Sequence, residues 1–306
     1  MRLTLILVWG MTFRAIALAC LGVALGLAPV QARLSVGDLV VALKPDKNPD
    51  AMLAEQRALE GFLGERLGAK VKVIVPLSTA VIVEGFANGT IDLGYLSATD
   101  LARIRTQGTA TLLLAGDFAG GKTSYRSYWL TLRDKPYTAI DQLRGKPVAF
   151  ASRTSTSGFL IPLLDLHQRG LVGADAALEP FFGKGNVLFG VGYVSAVERV
   201  LSGDAEAAAV SDYVFDQDKH LSAEQRARLR VLQSQGPVPS HVLAVRASLP
   251  PADQDALRTA LLALNEAAHT TLRDRVFTTK LVPVSADEHL RPLAAALPLA
   301  ERALAR

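Results

Sequence analysis

Short apolar runs alternate with amphipathic stretches twice along this chain, and that alternation restricts it to a small set of architectures. In the first half "LVVAL" (39–43) reads as a strand and "DAMLAEQRALEGFLGERLG" (50–68) as a helix carrying Leu53, Leu59, Phe62, Leu63 and Leu67 on one face. "KVKVIVP" (70–76) is a second strand, "AVIVEGFANG" (80–89) a second helix and "IDLGYL" (91–96) a third strand. Strands that alternate with helices must be joined by crossovers, so the order β-α-β-α-β predicts an α/β fold with a largely parallel sheet.

A second such run begins near "KPVAFAS" (146–152) and continues through a helix from about 159 to 169, a helix at "SAVERVLSG" (195–203) and a strand at "AEAAAVS" (205–211). The halves share a detail. "EGFANGTIDLGYLS" (84–97) and "ERVLSGDAEAAAVS" (198–211) both place Glu first, Gly sixth and Ser fourteenth. In each, a helix closes at a Gly cap, a strand follows, and a Ser emerges where that strand ends. The reading is two equivalent lobes, each a mixed sheet flanked by helices: 33–134 with 240–306 for the first, and 135–239 for the second. The Pro-rich stretches 131–147 and 234–246 are the expected crossings, and the helices at about 251–273 and 286–304 are expected to pack back on the first lobe. Ligands of open α/β sheets sit beyond the C-terminal ends of the strands, which for two facing lobes is the cleft between them.

The N-terminus points to export. An Arg, an apolar run from Ala15 to Ala28 and a small-residue exit at Val30-Gln31-Ala32 have the layout of a secretory signal peptide over residues 1–32, with Met11 as an alternative start to Met1. A single-helix membrane anchor is the competing reading, and Pro29 with the V-Q-A exit argues against it. The one cysteine, Cys20, lies inside this segment. Removing the segment leaves no thiol for catalysis or metal binding, and 31 basic residues (33 less Arg2 and Arg14) against 29 acidic. The Lys and Arg residues are scattered, so nothing calls for nucleic acid. A disulfide-free exported protein fits a Gram-negative periplasm.

Two segments carry phosphate-like signals. "GDFAGGKT" (116–123) satisfies the P-loop pattern G-x-x-x-x-G-K-[ST]. A P-loop needs a helix directly after its Lys-Thr, because the helix N-terminus holds the phosphate. Here "SYRSYWLTLRD" follows, rich in β-formers, so the motif is read as a chance match on a connection between strands. The context is right instead in "ASRTSTSGFLIPLLDLHQRG" (151–170), where Ser155, Thr156, Ser157 and Gly158 stand between a strand end and an apolar helix. Hydroxyls and free amides converge there at the positive end of the helix dipole, which favours an anion; a plain helix cap is the alternative.

"TSTSGFLIP" resembles the S-T-S-G-x-x-x-P element of the periplasmic phosphonate-, phosphite- and phosphate-binding proteins of ABC transporters. "TIDLGYLSATDLARI", "SYRSYWLTLRDKP", "LRGKPVAFAS", "VGYVSAVERVLSGDAEAAAVSD" and "GPVPSHVLAVRASLP" resemble the same family in the same order, over nearly the whole mature chain. The resemblance implies the two-lobed type II periplasmic binding fold, with the anion held by Ser155, Thr156 and Ser157 and, from the first lobe, by Thr79, Tyr95 and Tyr125. It implies a small oxyanion as ligand, an ABC permease as partner and no cofactor. Two positions depart from the family pattern. Gly192-Tyr193 stands where Gly-His is common, and "PLST" (76–79) offers Thr79 where an aromatic often sits. Asp212 is placed to meet an ammonium or a protonated oxyanion, or to cap a helix.

The same body reporting to a membrane histidine kinase is the alternative function. An enzyme is disfavoured: the sequence has no G-x-S-x-G and no H-E-x-x-H, and His167, His220, His241, His269 and His289 are dispersed.

Overall fold

Two separate sheets organise the computed structural model, which describes residues 34–44, 52–118, 120–217, 220–277 and 279–305. The first sheet takes β1 (Asp38–Ala42), β2 (Lys70–Ile74) and β3 (Leu93–Leu96) as parallel neighbours. β4 (Ala110–Asp117), β10 (Val242–Arg246) and β11 (Lys280–Val282) complete it, giving the order β11-β4-β10-β3-β1-β2. α1 (Leu53–Leu67), α2 (Thr79–Asn88) and α3 (Ala98–Thr106) connect its first four strands. Leu59, Leu63 and Leu67 recur every four residues and are buried, and α1 closes on Gly68 at φ 57°, the left-handed conformation that glycine adopts without strain. Leu53, expected on the same face, is 46% exposed.

The second sheet has the order β7-β6-β8-β5-β9. β6 (Val148–Phe150), β7 (Val187–Phe189) and β8 (Ala207–Ser211) are parallel; β5 (Ser124–Leu132) runs against them, and β9 (Leu229–Pro239), antiparallel to β5, runs in their direction. α4 (Ile161–Gln168), α5 (Glu179–Phe182), α6 (Tyr193–Ser202), α7 (Asp212–Asp216) and α8 (Ala223–Arg228) lie along this half. Its core is aromatic: Phe150 meets Trp129 and Phe159 edge to face, each at 5.3 Å between centroids. The detail shared by the two halves is present in both. α2 and α6 end on Gly89 and Gly203 in left-handed conformation, and Ser97 and Ser211 each stand at the N-cap position of the helix after the following strand, Ser97 with a side-chain cap bond from Asp100 N–H.

Two expected boundaries move. β5 pairs with β8 and β9, so the chain leaves the first half at 118–123 rather than within 131–147, and residues 124–134 belong to the second half. It returns at Ser240–His241, beside the outgoing crossing: Ser240 N–H donates to the Thr123 carbonyl and Gly116 N–H to that of His241, both at 3.0 Å. The C-terminal region also divides. α9 (Pro251–Leu262) and α10 (Thr270–Val276), separated by short 3-10 turns, pack on α1 as expected. After α11 (Ala286–Leu290), α12 (Ala296–Leu304) lies instead against α4 of the second half, where Arg302 Nε donates to the Ala174 carbonyl at 2.8 Å. One apolar cluster therefore runs through both halves, from Ile82 and Phe86 to Trp129, Phe150 and Leu299. Among the described residues no helix is long and apolar enough to cross a membrane, and the expected signal peptide lies outside them.

Candidate anion site between the two halves

β6 ends at Phe150, and the chain enters α4 through a five-residue π-helical turn, Thr156–Leu160, in which Leu160 N–H donates to the Ser155 carbonyl. Ser155 is the cap: its Oγ accepts from Gly158 N–H at 3.0 Å. Gly158 is required by close approach, since a Cβ there would fall 2.4 Å from Ala151 Cβ and 3.3 Å from the Ala209 carbonyl oxygen. The turn is thus pressed onto the ends of β6 and β8, and the next two hydroxyls, of Thr156 and Ser157, are buried.

Those hydroxyls are met by others. Thr156 Oγ1 lies 2.7 Å from Thr99 Oγ1, which comes from the first turn of α3 in the other half. Ser157 Oγ lies 2.8 Å from the Tyr193 phenol oxygen and accepts a longer bond, 3.4 Å, from that of Tyr125. The Ser157 carbonyl accepts from Ser127 Oγ at 2.6 Å, and Ser127 in turn accepts from Gln235 Nε2 at 2.8 Å, so the backbone of the turn is fixed from beneath by β5 and β9.

Burial pushes the Tyr125 phenol well above its usual 10, reinforced by the neighbouring Tyr193. Burial also raises the Asp212 carboxyl above 3.8, against the lowering effect of two backbone donors, Arg126 N–H at 2.8 Å and Tyr213 N–H at 2.7 Å. Asp212 thus ties β5 to the first turn of α7; its Oδ1 also accepts from Ser211 Oγ at 3.4 Å, while Oδ2 keeps a further lone pair. An aromatic wall of Tyr125, Phe118, Tyr213 and His241 stands beside the hydroxyls; the Tyr125 and His241 rings are stacked within 4° at 6.2 Å.

Of the positions expected from sequence, Ser157, Tyr125 and Tyr193 are linked by hydrogen bonds, Ser155 and Thr156 stand beside them on the same turn with bonds to Gly158 and Thr99, and Asp212 adjoins through β5. Tyr95 is not in it. Its phenol donates to the Phe277 carbonyl at 3.1 Å, and its ring packs against His241. Thr79 begins α2, half-buried, with no hydrogen bond from its side chain among the described residues. Thr99, Ser127 and Gln235 were missed. For Thr99 a signal existed: Ser97 and Asp100 form the S-x-x-D pattern that starts a helix, and they bond reciprocally at 2.7 and 3.1 Å. The P-loop-like segment is the β4–β5 crossing with no helix after it; Gly121 N–H donates to the Asp117 carboxylate, and Lys122 is exposed. Among the described residues no group of three His, Cys, Asp or Glu side chains is placed to hold a metal ion.

The family described as "ABC transporter, phosphonate, periplasmic substrate-binding protein" matches residues 41–290. Phosphate-import protein PhnD of Mycolicibacterium smegmatis is 25% identical over 227 residues, 72% of this chain and 70% of that one. Among solved structures, PhnD1 from Prochlorococcus marinus (MIT 9301) in complex with methylphosphonate has a TM-score of 0.70 at 19% identity, covering 83% of this chain and 95% of its own. XAC2383 from Xanthomonas citri bound to ATP has a TM-score of 0.72 at 22% identity, covering 87% and 98%. The architecture is the type II periplasmic binding fold.

Proposed function

We propose that this protein captures a phosphonate-, phosphite- or phosphate-class oxyanion between its halves and delivers it to an ABC permease, on the premise that the chain belongs to the family of periplasmic substrate-binding proteins of phosphonate ABC transporters. The observation that carries the reading is the pair of buried hydroxyls, Thr156 and Ser157, at the entry to α4. Hydroxyls and amides at the positive end of a helix hold an anion without a buried countercharge, and they release it again more readily than a fixed cation would.

The direct ligands in this reading are Thr156, Ser157, Tyr125 and Tyr193, with Ser155 as cap. Asp212 accepts a hydrogen bond from a protonated oxyanion or from an ammonium on the ligand. Phosphate import by the Mycolicibacterium smegmatis relative and the methylphosphonate bound to the Prochlorococcus marinus one support the ligand class. Family membership favours transport over signalling. The neutral hydroxyl cluster favours binding without turnover, and the expected signal peptide accords with the periplasmic setting of the family.

Calorimetric titration with phosphate, phosphite, methylphosphonate and, as a contrast, sulfate tests the reading. At least one phosphorus oxyanion is expected to bind and to raise the melting temperature. A hydrogen bond to a charged group contributes about 1.5–3 kcal/mol, so Thr156→Ala is expected to bind roughly ten- to a hundredfold more weakly. Silence towards all of these oxyanions, or undiminished affinity in Thr156→Ala, would overturn it.

A further inference from the structure

The Thr99–Thr156 bond joins the two halves at the anion site. Thr99 comes from α3 beside the first sheet, Thr156 from the turn beside the second, and both side chains are buried, at 0% and 3% exposure. Among the described residues neither hydroxyl has another hydrogen-bond partner. The first turn of α3 is held in place by the reciprocal Ser97–Asp100 pair, which fixes where Thr99 stands.

A hydroxyl carries one proton and two lone pairs, so in a pair of hydroxyls only one donates to the other. An oxyanion offers acceptors, and it takes the proton of whichever hydroxyl touches it. Resting on the anion-binding reading above, we infer that Thr99 is a positioning residue. Its hydroxyl donates to Thr156 Oγ1 and turns the single Thr156 proton toward the oxyanion. Donation into Thr156 also polarises its O–H and strengthens the outgoing bond, as in any hydrogen-bonded chain in a low-dielectric interior. Because the donor and its acceptor belong to different halves, the chain is complete only when the halves are together. Anion affinity and closure then share one hydrogen bond.

The test is a double-mutant cycle on affinity, with methylphosphonate and phosphate as probes. Thr99→Val keeps the shape and removes the hydroxyl, and roughly threefold to tenfold weaker binding is expected. Thr99→Ser keeps the hydroxyl and is expected to restore most of the affinity. In a Thr156→Ala background the Thr99→Val change is expected to have no further effect, because Thr99 acts only through Thr156. Thr99→Ala repeats the cycle should the valine variant fail to fold. Additive losses in the cycle, or full affinity in Thr99→Val, would overturn the role of Thr99 while leaving the anion site standing. A wild-type protein that binds neither probe would overturn the site itself, and the role with it.

Discussion

The Tyr193 phenol oxygen stands 2.8 Å from Ser157 Oγ, so the residue that departs from the family's Gly-His pattern is bonded to the anion turn itself. A tyrosine at this position supplies a donor without supplying a charge. Tyr193→Phe is therefore expected to weaken oxyanion binding by roughly twofold to tenfold, the effect of one neutral hydrogen bond. Tyr193→His is expected to change the pH profile of binding, with affinity improving relative to wild type as the imidazole charges below about pH 6.5. Titrations on both sides of that pH check it; parallel profiles for the two proteins would refute it.

Lys122 looks like the lysine of a P-loop, yet it sits exposed on a crossing between strands. Lys122→Ala is expected to leave oxyanion affinity within about a factor of two, the usual range for a surface substitution. Any nucleotide that binds is expected to bind the variant equally well. Loss of saturable ATP binding in Lys122→Ala, measured by equilibrium dialysis, would restore the P-loop reading.

The His289 ring nitrogen Nε2 donates to the Ser240 carbonyl at 3.0 Å, and burial holds its pKa below the ordinary 6.5. The folded protein thus binds fewer protons at this ring than the unfolded chain does. Stability is complete above 6.5 and is lost as pH falls from there through the lower folded value. His289→Gln retains a donor and does not titrate, so its unfolding free energy is expected to fall less steeply below pH 6.5. Urea unfolding of both proteins across that range decides the matter, and identical slopes would contradict it.

Gly158 leaves no room for a side chain between Ala151 and the Ala209 carbonyl. Gly158→Ala is expected to destabilise the ligand-free protein by about 1–3 kcal/mol, the typical effect of overpacking, and to weaken anion binding with it. Ser155→Ala removes only the cap and is expected to lower stability by about 1 kcal/mol, with a smaller effect on affinity. Urea unfolding paired with calorimetry separates these outcomes, and a Gly158→Ala protein as stable as wild type would show that the turn can shift.

The anion turn was legible because its signal is local: hydroxyls and a glycine stand directly before an apolar helix. The repeated β-α-β-α-β order was legible for the same reason. β9 was not, since Gly236, Pro237 and Pro239 mark a loop by composition. It is tolerated as a strand because it lies at the edge of its sheet, where a missing N–H leaves no internal bond unmade. The half to which β5 belongs was misread because its partners β8 and β9 are distant in sequence and nothing in its own residues names them. α3 has few apolar residues and shows itself mainly by its cap. The Thr99–Thr156 bond spans 57 positions, beyond any local pattern.

The outgoing and returning crossings lie side by side and are bonded to each other through Ser240 and Thr123. Two adjoining strands tied in this way bend together more easily than they slide past one another. Bending at the paired crossings is then the expected mode of opening. The empty protein should be described by a distribution over a single opening angle, and a pair of fluorophores placed across the gap would read that angle as one coordinate.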